Sequence, residues 1–222
     1  MCGIFGSTKF EQFRTLYRLN QSRGDFAYGG LYSNEDNHIL EKYEGNKPFP
    51  TPKNATKYVN FLGHTQAPTS SKRNFSPETT HPFTHKNWTV AHNGVLSNAE
   101  ELKRKFLLTN TNEVDTSCIP ALMSYFYVDT GDTHTDEVRA ITTSLQQLEG
   151  TYGCWIYNKR SRNIYLARSG STLYYEVTGN FSSALDPYSH YKTVPEGTLL
   201  KIKGTSVHEA GSFSFDSPYF IL

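Results

Sequence analysis

The order in which strand-like and helix-like segments follow one another constrains this 222-residue chain more than any other feature. Short apolar stretches come first, helical periodicity fills the middle, and short strands return from Tyr152 onward. The links between strands are of hairpin length. Antiparallel sheets flanked by helices, an α+β arrangement, meet that order. Residues 1–8 read as a strand that begins at the first residue, and residues 10–20 as a helix with Phe10, Phe13, Leu16, Tyr17 and Leu19 in helical rhythm. Strands are predicted over residues 27–33, 38–43, 60–66 and 87–92. Between them lie a surface loop carrying Pro48, Pro50 and Pro52 and a polar loop over residues 69–84. Residues 97–108 should form a helix opened by a Ser97–Glu100 capping box, with two further helices over 116–127 and 135–148. Strands are then expected over 152–158, 163–168, 173–178, 181–184, 198–203 and 206–209. No repeat or linker interrupts the pattern, so residues 1–222 are expected to form one domain.

A chain of this length buries roughly three-quarters of its unfolded surface, enough for a core without disulfides or metal staples. Its 22 basic and 21 acidic residues leave a net charge of +1, which gives no strong pull toward nucleic acid or a membrane surface. Cys2, Cys118 and Cys154 form no paired framework and show no metal-ligand spacing. His64, His81, His85 and His92 lack an acidic partner pattern, and no metal or other cofactor is expected. No apolar run reaches the ~18 residues of a membrane span, and no signal-peptide layout opens the chain. A cytoplasmic location with reduced thiols follows as the expectation.

Three places carry chemistry. Cys2 is followed by Gly3 and an apolar strand. Removal of Met1 would leave it with a free α-amine of pKa about 7.7–8.0, a base for its own thiol. Next, His92-Asn93-Gly94 ends the strand at 87–92 and leads toward the helix at 97–108. An Asn amide and a Gly N–H presented there can receive a developing oxyanion, although the same tripeptide also suits a simple turn. Asp115 stands before the helix at 116–127, where an N-cap role is open to it.

Taken together, Met1-Cys2-Gly3-Ile4-Phe5-Gly6, Arg23-Gly24 with Gly29, Gly63-His64-Thr65-Gln66-Ala67-Pro68-Thr69, Ala91-His92-Asn93-Gly94 and Asp115-Thr116 resemble the glutaminase domain of class II, N-terminal-nucleophile glutamine amidotransferases. The family includes the amidotransferase halves of asparagine synthetase, glucosamine-6-phosphate synthase and amidophosphoribosyltransferase. The resemblance continues through Gly150-Thr151-Tyr152-Gly153, Leu166-Ala167-Arg168 and Pro195-Glu196-Gly197, nearly end to end. It implies a four-layer αββα sandwich with Cys2 at a strand end between the sheets. It implies that Cys2 releases ammonia from the glutamine side chain through a glutamyl thioester. Asn93 and Gly94 would line the oxyanion hole and Arg23 would brace the nucleophile loop. Gln66, Thr69, His92 and Asp115 would meet the substrate, with Asp115 on its α-ammonium.

Two departures qualify the match. Gln66 stands where the family has the arginine that holds the substrate carboxylate, and a neutral amide supplies neither the charge nor the fork. Lys72 or Arg73 could restore the charge; otherwise the donor is an amide without an exposed carboxylate. Asp25 directly follows Gly24, whereas the family's acidic residue comes two places after that glycine. The expected partner is a separate synthase that uses the ammonia. The rival readings are a self-sufficient amide hydrolase and a catalytically silent binding module.

Overall fold

In the strands, side chains alternate between two apolar environments, so each sheet is covered on both faces. The computed structural model describes residues 2–45, 47–67, 74–185 and 190–215. Among these, one antiparallel sheet runs, edge to edge, β11 (Lys192–Thr193), β9 (Tyr174–Tyr175), β10 (Phe181–Ser182), β1 (Gly3–Ser7), β4 (Asn60–Gln66), β2 (Ala27–Ser33) and β3 (His38–Glu44). The second runs β13 (Ser206–Ser212), β12 (Thr198–Lys203), β8 (Ile164–Ser169), β7 (Gly150–Asn158), β6 (Trp88–Leu96) and β5 (Phe83–His85). Helix α1 (Phe10–Asn20) covers the outer face of the first sheet. Helices α2 (Ala99–Lys105), α3 (Cys118–Phe126) and α4 (Thr133–Leu145) cover that of the second. The layers are therefore αββα, as the resemblance implies.

Adjacent residues of one strand serve different layers. On β7, Trp155 and Tyr157 enter the core between the sheets, whereas Cys154 and Ile156 meet the helices. On β1, Ile4 faces the other sheet and Phe5 faces the Phe13, Tyr17 and Phe61 cluster under α1. Phe49, from the proline loop, also fills that cluster at 3% exposure, so the loop contributes core as well as surface. The indole N–H of Trp155 donates to the Gly63 carbonyl at 3.0 Å, a direct tie between the sheets. Among the described residues no helix is long and apolar enough to cross a membrane.

Several boundaries move. The strand expected to end at His92 continues to Leu96, paired through Gly94↔Tyr152 with β7. The Ser97–Glu100 capping box does not form. Helix α2 starts at Ala99, and the buried Asn98 instead accepts from the Glu149 N–H and donates to the Gln147 carbonyl. Strand β5 lies within and just beyond the expected polar loop, and residues 173–178 supply only the two-residue β9. Beyond β13, Phe213 packs against the second sheet and its helices.

The first strand lies mid-sheet, with β4 on one side and β10 on the other. Gly6 faces the Phe181 ring so closely that a Cβ would lie 2.3 Å from it. Gly6→Ala should therefore cost about 1–3 kcal/mol by overpacking, and Phe181→Ala about 3–5 kcal/mol through its cavity. In urea unfolding the double variant should cost clearly less than the sum of the two, because the new methyl occupies the space the ring leaves. Strict additivity would show that the two sites do not share that space.

Candidate active site

Strand pairing brings the sequence-distant motifs to one end of the sandwich. A pocket of about 480 Å³ is lined by Cys2, Gln66, His81, His92, Gly94, Val95, Leu96, Glu113, Val114 and Asp115. Five of the predicted site residues, Cys2, Gln66, His92, Gly94 and Asp115, are thus assembled from four chain segments. Arg23 and Asn93 are next to lining residues without being among them, and Thr69 lies outside the described residues, as do Lys72 and Arg73.

Cys2 precedes β1, and its backbone is gripped from behind. Arg23, in the short 3-10 turn after α1, donates through Nε to the Cys2 carbonyl at 3.0 Å and through its other arm to Thr172 Oγ1 at 3.2 Å. Two residues on, the Ile4 N–H donates to Ser183 Oγ at 2.9 Å, and that hydroxyl donates to the Asn20 side chain. Burial pushes the Cys2 thiol above the ordinary thiol range, partly offset by the Ala67 backbone N–H. Cys118 and Cys154 are pushed up to about 12 by burial in the helix-facing core, as expected of structural thiols.

Gly94 has φ +150, and a Cβ there would lie 1.9 Å from the Thr151 carbonyl oxygen. Only glycine fits this backbone against β7. The preceding Asn93 is 2% exposed and donates through Nδ2 to Ser171 Oγ at 2.9 Å. Arg168 supports that loop by donating to the Ser171 and Val194 carbonyls, and it pairs with Glu196 at 3.2 Å. Ser171 and Thr172 thus tie one loop to both Asn93 and Arg23. Neither carries a sequence signal beyond its place after Arg168.

Asp115 opens a 3-10 turn ahead of α3. Its Oδ1 accepts from the Thr116 N–H at 2.7 Å, and its Oδ2 accepts from the Leu96 N–H at 2.9 Å, two residues beyond Gly94 on β6. The carboxylate is therefore both a local turn cap and a pocket wall.

Two of the lining residues are histidines, His81 and His92, and a third, His64, is buried against them. The His64 and His81 rings stack at 3.8 Å, and His64 Nε2 donates to the His92 carbonyl at 3.2 Å. Both His81 and His92 contact the Thr116 hydroxyl at 2.7 Å. Gln66, 1% exposed, turns its Oε1 to His81 and its Nε2 to the Thr79 carbonyl. Burial lowers the His92 pKa, with Asp115 acting in the opposite sense, and drives His64 down to about 3. Sequence reading missed His81 and Thr116, which sit in segments read as a polar loop and a helix start. Among the described residues no His, Cys, Asp or Glu group is arranged to hold a metal ion.

A sequence profile of the glutamine amidotransferase domain family matches residues 72–187, just over half of the chain. The chain belongs to this family, in its class II, N-terminal-nucleophile branch. It is 26% identical over 224 residues to glutamine–fructose-6-phosphate aminotransferase (isomerizing) of Staphylococcus epidermidis, spanning 93% of this chain and 37% of that protein. The chain thus covers little more than a third of that curated relative. Among solved structures, glutamine phosphoribosylpyrophosphate amidotransferase of B. subtilis superposes with a TM-score of 0.68 at 20% identity, covering 95% of this chain and 49% of that one. A glutamine aminotransferase class-II domain protein from Silicibacter pomeroyi gives 0.55 at 13% identity, covering 96% and 99%. These two likenesses concern the fold.

The buried histidines make stability pH-dependent. His64 has a folded pKa near 3, below its unfolded value, so its contribution is fully present above pH ~6.5 and is lost as pH falls toward 3. Between pH 6.5 and 4, urea unfolding should weaken more steeply in the wild type than in His64→Asn, by up to about 1.4 kcal/mol per pH unit. Equal slopes would contradict a histidine held neutral.

Proposed function

We propose that the chain is the glutaminase component of an amidotransferase, one domain in which Cys2, freed of Met1, is the nucleophile. The observation that carries this is the meeting of Cys2, Gly94 and Asp115 on one pocket, with Arg23 holding the Cys2 carbonyl. In the proposed reaction the α-amine of Cys2 takes the thiol proton, and Sγ bonds to the side-chain carbonyl carbon of glutamine. The Gly94 N–H and Asn93 Nδ2 receive the oxyanion. Its collapse breaks the C–N bond, and the α-ammonium returns its proton to the departing nitrogen as ammonia. Water then cleaves the γ-glutamyl thioester, with the amine again as base, giving glutamate and the free thiol. Asp115 takes the substrate α-ammonium. His92 and, from the family resemblance alone, Thr69 are the remaining substrate contacts in this reading.

Released ammonia is passed to a separate synthase in the cytoplasm. The Staphylococcus epidermidis relative, named for transfer between glutamine and fructose 6-phosphate, is far longer than the stretch matched here, which supports an acceptor activity carried outside the matched stretch. A second reading, a self-sufficient hydrolase of another amide, is favoured by Gln66: its side chain is engaged by His81 and Thr79 and brings no cation to a substrate carboxylate. Ready turnover of a γ-glutamyl amide with a blocked α-carboxyl, and poor turnover of glutamine, would select it.

Ammonia release from glutamine should rise with pH through about 7–8, as the α-amine becomes a free base. Cys2→Ala should abolish it, and Asn93→Ala should lower kcat about 10²-fold or more. Activity that survives Cys2→Ala would remove the proposed nucleophile.

A further inference from the structure

Gln66 occupies the position where the family resemblance places a substrate-binding arginine, yet its buried amide has taken two partners inside the protein. The Nε2 donates to the Thr79 carbonyl at 3.3 Å, which fixes the amide so that Oε1 faces His81. That oxygen can only accept. It receives the His81 backbone N–H at 3.2 Å and therefore also a proton on His81 Nδ1 at 3.1 Å. Taking His81 as neutral, the premise that the measurement below tests, its Nε2 presents a lone pair and the Thr116 hydroxyl donates to it at 2.7 Å. A hydroxyl has one proton. Having donated it to His81, Thr116 Oγ1 must accept from His92 Nδ1, also at 2.7 Å. The competing acceptor for the Thr116 proton, Asp115 Oδ1, lies at 3.4 Å and is the weaker claimant. This assignment leaves the lone pair on His92 Nε2; the Thr151 carbonyl acts on the ring as a competing acceptor, but no well-formed hydrogen bond joins it to Nε2 among the described residues.

We infer that Gln66 is a positioning residue: its carbonyl fixes the proton arrangement of the Gln66–His81–Thr116–His92 chain. That chain holds the backbone immediately before Asn93 and Gly94. His92 is the residue next to Asn93, its carbonyl is also held by His64, and Thr116 is the neighbour of Asp115. One hydrogen-bond chain therefore orients both the oxyanion-facing strand and the carboxylate wall of the pocket. The family arginine, a donor without an acceptor, could not head this chain. The consequence for turnover rests on the proposed glutaminase reading; the proton arrangement does not.

The test is long-range ¹H–¹⁵N correlation NMR of histidine-labelled protein at pH 7, paired with glutaminase kinetics. In the wild type, His81 and His92 should both be neutral and protonated at Nδ1. A proton on Nε2 of either ring overturns the assignment. Gln66→Met should release the His81 tautomer and alter the His92 signals, lowering kcat about tenfold while KM for glutamine changes less than about threefold. Thr116→Val should alter His92 in the same way, and Thr116→Ser, which keeps the hydroxyl, should restore the wild-type pattern. A Gln66→Met variant with unchanged histidine signals and only a raised KM would make Gln66 a substrate ligand and overturn the inference. If the wild type releases no ammonia from glutamine, the functional reading fails while the NMR arms still decide the proton arrangement.

Discussion

The fold depends on burying the first strand of the chain mid-sheet. Strand β1 pairs with β4 along its whole length and with β10 over Phe5–Gly6, and its two faces feed two different cores. A chain terminus is ordinarily loose at the surface because little holds it. Here backbone pairing, the Arg23 bond to the Cys2 carbonyl and the Ile4–Ser183–Asn20 chain hold the second residue in place. An exposed loop would deliver the same thiol with far less orientation. Orientation is what a one-residue nucleophile and base would require.

Around that anchored strand, the second sheet supplies the opposing wall. The unbroken run of β6 through His92, Asn93, Gly94 and Val95 is possible because glycine alone tolerates the backbone against Thr151. Asp115 then bonds the Leu96 N–H and closes the corner between the strand and the helical layer. The buried histidines bind these parts together through hydrogen bonds that need neutral rings. Acid therefore acts against the fold at His64 and His92, where burial disfavours the charged ring.

Much of this was legible in the sequence, for identifiable reasons. Helix α1 and strands β2, β4 and β12 fall where periodicity places them, because each shows an apolar pattern of the right period over a full element. The separate motifs around Cys2, Arg23, Asn93 and Asp115 were also readable, since they retain residue types with few alternative uses. What escaped was long-range. Nothing local in Thr79-Thr80-His81-Pro82 signals that His81 lies 4% exposed beneath the pocket, or that Thr116 would join two histidines. The Ser97–Glu100 pair had the right spacing for a cap, but Asn98 found tertiary partners at Gln147 and Glu149 and moved the helix start. Gln66 could be recognised as a departure from the family, but its partners are set by strand pairing and loop closure, which one sequence does not display.

The central claim is that Cys2, as residue one of the processed chain, is a nucleophile toward glutamine-like substrates. Intact mass spectrometry after incubation with 6-diazo-5-oxo-L-norleucine, comparing wild type with Cys2→Ala, tests it most directly. The account predicts loss of Met1 and a single covalent adduct on the wild type alone. A processed wild type that takes no adduct, or an adduct that persists in Cys2→Ala, would contradict it.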